Sequence, residues 1–214
     1  VGTTNFDLRK PNFVVIHHTA QNACDQTLKT FTLERTKVSA HYVICKDGTV
    51  HHMLNDYMRA WHGGISKWGN NSDLNSSSIG IELDNNGFEP FDSAQINSLL
   101  LLLAQLKENY KIPDANFIGH ADIAPKRKVD PNIQFPWILL AQKGYGLWFE
   151  PNEQYSLPES ISIPFALAMV GYDIKDTTAA LLAFKRHFRA DSTAVVTEND
   201  RSVLFQLIQN KLSH

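Results

Sequence analysis

Three short apolar runs each end in a residue able to act as an acid, a base or a metal ligand: NFVVIH ends at His17, SIGIE at Glu82 and NFIGH at His120. Lys128-Val129-Asp130-Pro131 follows the last of them. In extended chain, residues two apart point the same way, so Lys128 and Asp130 are expected to face one site while Val129 packs behind. Two imidazoles and a carboxylate, with a fourth position for water, suit a catalytic zinc. Such an ion polarises a carbonyl and lowers the pKa of the attacking water to about 7. A carboxylate such as Glu82 can take the water's proton, and an ammonium such as Lys128 can stabilise an oxyanion. Taken singly, each group has a plainer reading. A lone His is often a hydrogen-bonded structural residue, Glu82 is a strand terminus, and Lys128 sits in Lys126-Arg127-Lys128, a run typical of a solvated loop. The site rests on the combination.

The elements that would position these residues can be read from the pattern. Residues 12–17 read as a strand buried on both faces, as in a parallel sheet covered by helices. If this strand and those ending at Glu82 and His120 run parallel, their three polar termini meet at one sheet edge, where open α/β sheets bind ligands. Asp25 is expected to cap a helix running to about Thr36, with Leu28 and Phe31 inward. Residues 41–45 and 49–53 flank Lys46-Asp47-Gly48 and predict a hairpin. Asp92 is a candidate N-cap with Gln95 three residues on, and Phe91 is placed to staple onto Ile96. Ile96, Leu99, Leu100, Leu103 and Leu106 then hold helical spacing until Pro113. Phe135-Pro136-Trp137 opens a short helix that Gly144 can close. Near Glu150 the composition changes. Glu150-Pro151-Asn152-Glu153 and Leu157-Pro158-Glu159 read as a linker, and only helical patterns follow, over residues 161–170, 177–188 and 200–212. Three short helices make a marginal core, so this tail is expected to lean on the first domain.

The 214 residues carry 20 Lys+Arg against 22 Asp+Glu, a formal charge of −2, with 43 % hydrophobic residues. This composition excludes disordered, collagen-like and coiled-coil chains. The near-neutral charge argues against nucleic acid as a partner, and no apolar run reaches the roughly 20 residues of a membrane span. The chain starts at Val1 and has no signal-peptide core, so it reads as a mature or trimmed chain. Cys24 and Cys45 are too few for a disulfide framework. They read as two free, half-buried thiols, with a single bridge in an oxidising compartment as the alternative.

Five segments carry a family likeness: VVIHHTA (14–20), VSAHYVICKDGTV (38–50), AWHGGISKW (60–68), SIGIEL (78–83) and IGHADIAPKRKVDP (118–131). In order and spacing, over about residues 10–145, the chain resembles the zinc-dependent N-acetylmuramoyl-L-alanine amidases of the amidase-2 type, within the peptidoglycan-recognition-protein superfamily. MVGYD (169–173) and AFKRHFR (183–189) more loosely resemble the helical carboxy-terminal domain of an outer-membrane-anchored member, a domain similar to peptidoglycan-binding modules. The resemblance implies an α/β fold with a mixed, mainly parallel central sheet flanked by helices, followed by a small all-α three-helix domain. Residues 1–150 would be the catalytic domain and residues 151–214 the helical one. It further implies Zn2+ on His17, His120 and Asp130, with Glu82 as catalytic carboxylate and Lys128 stabilising the tetrahedral intermediate. Chemistry alone leaves His17 and His18 as alternatives, because neighbours on a strand face opposite ways; the resemblance favours His17. His41, Trp61 and His62 are expected as substrate-contacting walls or as partners of the ligands, with His41 packed inside the hairpin as the alternative. Asp122 is expected to brace its loop.

These features imply hydrolysis of the amide between N-acetylmuramic acid and the L-alanine of the stem peptide, with peptidoglycan or muropeptides as partners. Two rivals stay open: a peptidoglycan-recognition module without catalysis, and a zinc peptidase cutting within the stem peptide. The tail is expected either to bind the cell wall or only to cover an apolar face. The expected location is the periplasm, with a tether to the outer membrane through a lipid on an N-terminus not contained in this sequence; secretion is the alternative. A monomer is expected.

Overall fold

The computed structural model describes residues 3–5, 7–151 and 155–213. Five strands form one sheet: β1 (Phe13–His18), β2 (Tyr42–Ile44), β3 (Val50–His52), β4 (Ser78–Leu83) and β5 (Phe117–Gly119), in the order β3-β2-β4-β1-β5. β1, β2, β4 and β5 run parallel, and β3 joins antiparallel at the edge. The helices are α1 (Cys24–Thr32), α2 (Leu74–Ser77), α3 (Ser93–Tyr110), α4 (His120–Ile123), α5 (Trp137–Gln142), α6 (Ile163–Val170), α7 (Thr177–Arg189) and α8 (Glu198–Leu212). A mixed, mainly parallel sheet between helical layers is the architecture the family resemblance implies.

Side-chain alternation divides the sheet into two faces. Val14 and Ile16 of β1 and Ile79, Ile81 and Leu83 of β4 lie in one apolar cluster with Leu99 and Leu103 of α3. Val15 and Ile118 lie in a second cluster with Leu167, Phe184 and Leu207 of α6, α7 and α8. The tail does lean on the sheet, sharing one continuous apolar core with its second face. Of the expected linker, Asn152 and Glu153 fall outside the described residues.

Local sequence explains most boundaries. Gly48, at φ +88°, closes the β2–β3 turn, and a Cβ there would lie 2.9 Å from the Ala94 carbonyl oxygen. Only glycine combines that φ with so close an approach. α8 begins at a reciprocal box: the Thr197 backbone N–H donates to Asp200 Oδ2 at 2.8 Å, and the Asp200 N–H donates to Thr197 Oγ1 at 3.2 Å. Two caps differ from expectation. α1 starts after Ala23 and stops at Thr32, with Asp25 inside its first turn rather than capping it, and Leu28 and Phe31 are only half-buried. Asp92 holds the N-cap position of α3 without a side-chain cap bond. Gln95 is buried instead, its Nε2 donating to the carbonyls of Ile44 at 2.8 Å and Asp84 at 3.1 Å, and so ties α3 to the ends of β2 and β4.

The cysteines are not free thiols: Cys24 and Cys45 form a disulfide. α1 packs beside β2 and brings the two Cα atoms to 5.4 Å, inside the range that a bridge spans. Neither residue's neighbours in sequence signal this, because only the tertiary contact creates it. The bridge closes a loop with a sequence separation of 21. Replacing both cysteines by serine should lower unfolding stability by about 3 kcal/mol, read as a fall in the urea midpoint at unchanged slope.

Candidate active site

Strand parity aims the chemistry. His17 follows Val15 in the period-two alternation and faces the tail side of the sheet. Its register partner on β4 is Glu82. His18 faces the other way, where its Nδ1 accepts from the Asn132 backbone N–H at 3.1 Å. His120 is the first residue of α4, immediately after β5. The segment carrying Asp130 is tied to that point because the Ala121 N–H donates to the Asp130 carbonyl at 2.7 Å.

Three donor atoms converge. His17 Nδ1 lies 2.9 Å from His120 Nδ1 and 3.1 Å from Asp130 Oδ2, and His120 Nδ1 lies 2.9 Å from Asp130 Oδ2. All three residues are buried. Ligand atoms around a tetrahedral zinc are ~3.3 Å apart, given bonds of about 2.0–2.2 Å, so the triangle has the size of a metal-binding face. Its chemistry fits as well. Burial, with His120 adding to it, lowers the His17 pKa to about 4, so its lone pair is available at neutral pH. Burial pushes the Asp130 carboxyl up, but the His120 and His17 imidazoles at its Oδ2 outweigh that and hold it well below the usual carboxylate range. Two nitrogens and an anionic oxygen aimed at one point suit a cation, and the group could hold a metal ion. Cys24, Cys45 and His51 also lie close enough together to hold an ion, but the disulfide removes both thiolates.

The remaining candidates surround this triangle in a cleft of about 370 Å³. Glu82 lines it, with Oε1 3.9 Å from His17 Nδ1. Burial, reinforced by Asp130, pushes its carboxyl up to about 8. Its Oε2 is buried without a hydrogen-bond partner, so it is free to engage a molecule in the cleft. Lys128 lines the same cleft, and its charge opposes the upward shift of Glu82. Trp61 stands at the rim, half exposed. His62 is mostly buried but reaches the wall, its Nδ1 3.0 Å from His17 Nε2.

Two placements correct the sequence reading. His41 is fully buried and not part of the wall, so it is no substrate contact. Its Nδ1 accepts from the Gly80 N–H at 3.0 Å, and its Nε2 lies 3.0 Å from the Met58 carbonyl. Val129 does not pack behind Lys128 and Asp130; it is 59 % exposed and forms part of the rim. Sequence reasoning also passed over Asn75, Ser78 and Gly80, which lie around His62. Period-two alternation in SIGIE does put Ser78 and Gly80 on the same face as Glu82, and that signal could have found two of the three.

Residues 7–133 match the N-acetylmuramoyl-L-alanine amidase family. The N-acetylmuramoyl-L-alanine amidase AmiD of Escherichia coli (strain K12) is 35 % identical over 209 residues, a match covering 82 % of this chain and 74 % of that protein. The structure of E. coli AmiD in complex with the substrate anhydro-N-acetylmuramic acid-L-Ala-D-gamma-Glu-L-Lys superposes with a TM-score of 0.85 at 30 % identity, covering 98 % of this chain and 93 % of the other. The crystal structure of AmpDh3 from Pseudomonas aeruginosa in complex with anhydromuramic pentapeptide gives a TM-score of 0.83 at 26 % identity, covering 99 % of this chain and 96 % of the other. These likenesses take in the tail helices as well as the sheet.

Asp122 joins the two parts. It is buried, and its Oδ2 accepts from the Gly119 N–H at 2.7 Å and lies 2.7 Å from His187 Nδ1 on α7. Its Oδ1 accepts from the Tyr172 hydroxyl at 2.9 Å. It braces its loop, as expected, and also clamps the tail. Asp122→Ala leaves several buried donors unpaired and should cost about 3 kcal/mol. Asp122→Asn keeps an acceptor and should cost less. Denaturant unfolding of the two variants checks the order.

Proposed function

The chain belongs to the N-acetylmuramoyl-L-alanine amidase family, and on that premise we propose that it hydrolyses the amide joining N-acetylmuramic acid to the L-alanine of the peptidoglycan stem peptide. The observation that carries this reading is the convergence of His17, His120 and Asp130 beside Glu82 in an open cleft. Muropeptides are the ligands of the similar AmiD and AmpDh3 structures, which supports peptidoglycan fragments as the ligand class here.

We assign Zn2+ to the three-donor centre, a set of two imidazoles and one carboxylate that suits a catalytic site of this metal. When bound, the ion polarises the scissile carbonyl, lowers the pKa of the attacking water to about 7 and favours the ionised form of Glu82. Glu82 Oε2, buried and without a partner, takes the proton of the attacking water and passes it to the leaving amine nitrogen. The Lys128 ammonium offsets the charge that develops on the carbonyl oxygen. The half-exposed ring of Trp61 at the rim offers a flat apolar surface to the substrate.

We place this activity in the periplasm at the outer membrane. The substrate lies outside the cytoplasmic membrane, and the Cys24–Cys45 bridge belongs in an oxidising compartment. Among the described residues no helix is long and apolar enough to cross a membrane. We further assign the helices beyond residue 160 a role in holding the cell wall, which raises the local substrate concentration.

Zinc-loaded protein incubated with muropeptides should release the intact stem peptide, with its L-alanine amine free, as read by mass spectrometry. Glu82→Gln should slow this by about 10²- to 10⁴-fold while retaining one equivalent of zinc. Fragments cut within the stem would identify a peptidase. Binding without cleavage or stoichiometric zinc would identify a receptor. For the tail, the Glu82→Gln protein should sediment with cell-wall sacculi even when excess soluble muropeptide fills the cleft. If muropeptide abolishes sedimentation, the cleft alone binds and the tail has no such role.

A further inference from the structure

The two imidazoles of the centre turn their far nitrogens toward one short segment. His17 Nε2 lies 3.0 Å from His62 Nδ1, and His120 Nε2 lies 3.3 Å from the Gly63 carbonyl oxygen. An imidazole that presents its Nδ1 lone pair to a cation carries its proton on Nε2. Both rings must therefore donate outward, and each needs a fixed acceptor. The Gly63 carbonyl is always an acceptor. His62 Nδ1 is one only when the proton of His62 sits on Nε2.

Ser78 enforces that state. Its hydroxyl donates to the Leu74 carbonyl, which commits its single proton. Toward His62 Nε2, 3.1 Å away, Ser78 Oγ can then only accept. The sequence of donors runs in one direction: His17 Nε2–H to His62 Nδ1, His62 Nε2–H to Ser78 Oγ, and Ser78 O–H to the Leu74 carbonyl. The segment is also anchored from behind. The backbone N–H groups of His62 and Gly63 both donate to Asn75 Oδ1, at 3.1 and 2.7 Å. Gly80 supplies the seat, because a Cβ there would lie 2.4 to 2.7 Å from the His62 ring, closer than the contacts of a packed interior allow.

We propose that His62 and Gly63, held by Asn75 and Ser78 and seated on Gly80, are positioning residues that fix the tautomer and ring orientation of His17 and His120, so that both Nδ1 lone pairs point at the centre before an ion arrives. This rests on the assignment of a divalent ion to that centre. Metal-ligating histidines depend on such partners, whose loss costs about 10- to 100-fold in metal affinity.

Zinc affinity measured by chelator competition tests it, with activity as a separate readout. His62→Phe should weaken zinc about 10- to 100-fold. His62→Asn places an amide oxygen where Nδ1 stood and should restore most of that loss. Gly80→Ala removes no polar group yet displaces the ring, and it should weaken zinc as His62→Phe does. Nitrogen NMR of the zinc-loaded wild-type protein, which needs no variant to fold, should show His62 as the neutral Nε2–H tautomer. A His62→Phe protein that binds zinc as tightly as wild type, or a His62 found protonated on Nδ1, would overturn this inference alone. Failure of the wild-type protein to bind a divalent ion would overturn the zinc assignment and this inference with it, so the two failures are distinguishable.

Discussion

Three lone-pair-bearing atoms held 2.9 to 3.1 Å apart are the constraint around which the rest of the molecule is arranged. Two imidazole nitrogens and a carboxylate oxygen this close need a proton or a cation among them, and burial raises the cost of leaving them without one, because water cannot reach their lone pairs. These side chains do not meet by chance. They stay together because each is held from elsewhere: His17 by a central strand, His120 by the first turn of α4, and Asp130 by the Ala121 N–H on its own carbonyl. The same burial that makes the arrangement costly keeps His17 neutral, the only form in which its lone pair is available.

The choice between His17 and His18 is made by hydrophobic packing. A strand shifted by one residue turns every side chain to the opposite face. Val14 and Ile16 are buried against α3, and Val15 against the tail helices, so a slip would require exchanging two different apolar environments. The register that satisfies both places His17 beside Glu82 and sends His18 toward Asn132. Which of the two histidines meets His120 and Asp130 is thus set by apolar contacts some distance from them. β4 obeys the same parity: Ile79, Ile81 and Leu83 enter the α3 core, leaving Ser78, Gly80 and Glu82 on the catalytic side. One alternating strand places the Glu82 carboxyl in the cleft, Gly80 beneath the His62 ring and the Ser78 hydroxyl at His62 Nε2.

The sheet and its three polar termini were legible because short apolar runs ended abruptly in His or Glu, and parallel strands make such ends coincide. What escaped reading was whatever depends on contacts between segments distant in sequence. Cys24 and Cys45 carry no local sign of pairing; they meet because α1 lies on β2. Gln95 looks like part of an N-terminal helix box but finds better acceptors in two strand-end carbonyls. Strict alternation puts Val129 inside, yet the segment around it is a loop whose backbone turns the side chain out to the rim. His41 lies between the cleft-wall and packed alternatives on sequence grounds, and is taken up in the core by the Gly80 N–H, the Met58 carbonyl and the Arg9 guanidinium.

The tail is part of the same mechanical problem. α4 spans only His120–Ile123, too short to be stable as a helix by itself, yet it must hold one of the two imidazoles. Asp122, two residues beyond His120, closes its first turn through the Gly119 N–H and is gripped in return by Tyr172 and His187. His187 is itself stacked on Trp137 of α5, with ring centroids 3.7 Å apart. The helices beyond residue 160 therefore cover the sheet face and also supply the far side of the clamp that keeps His120 in place. A change that loosens α7 against α4 would reach the three-donor centre through a single carboxylate, without touching the cleft.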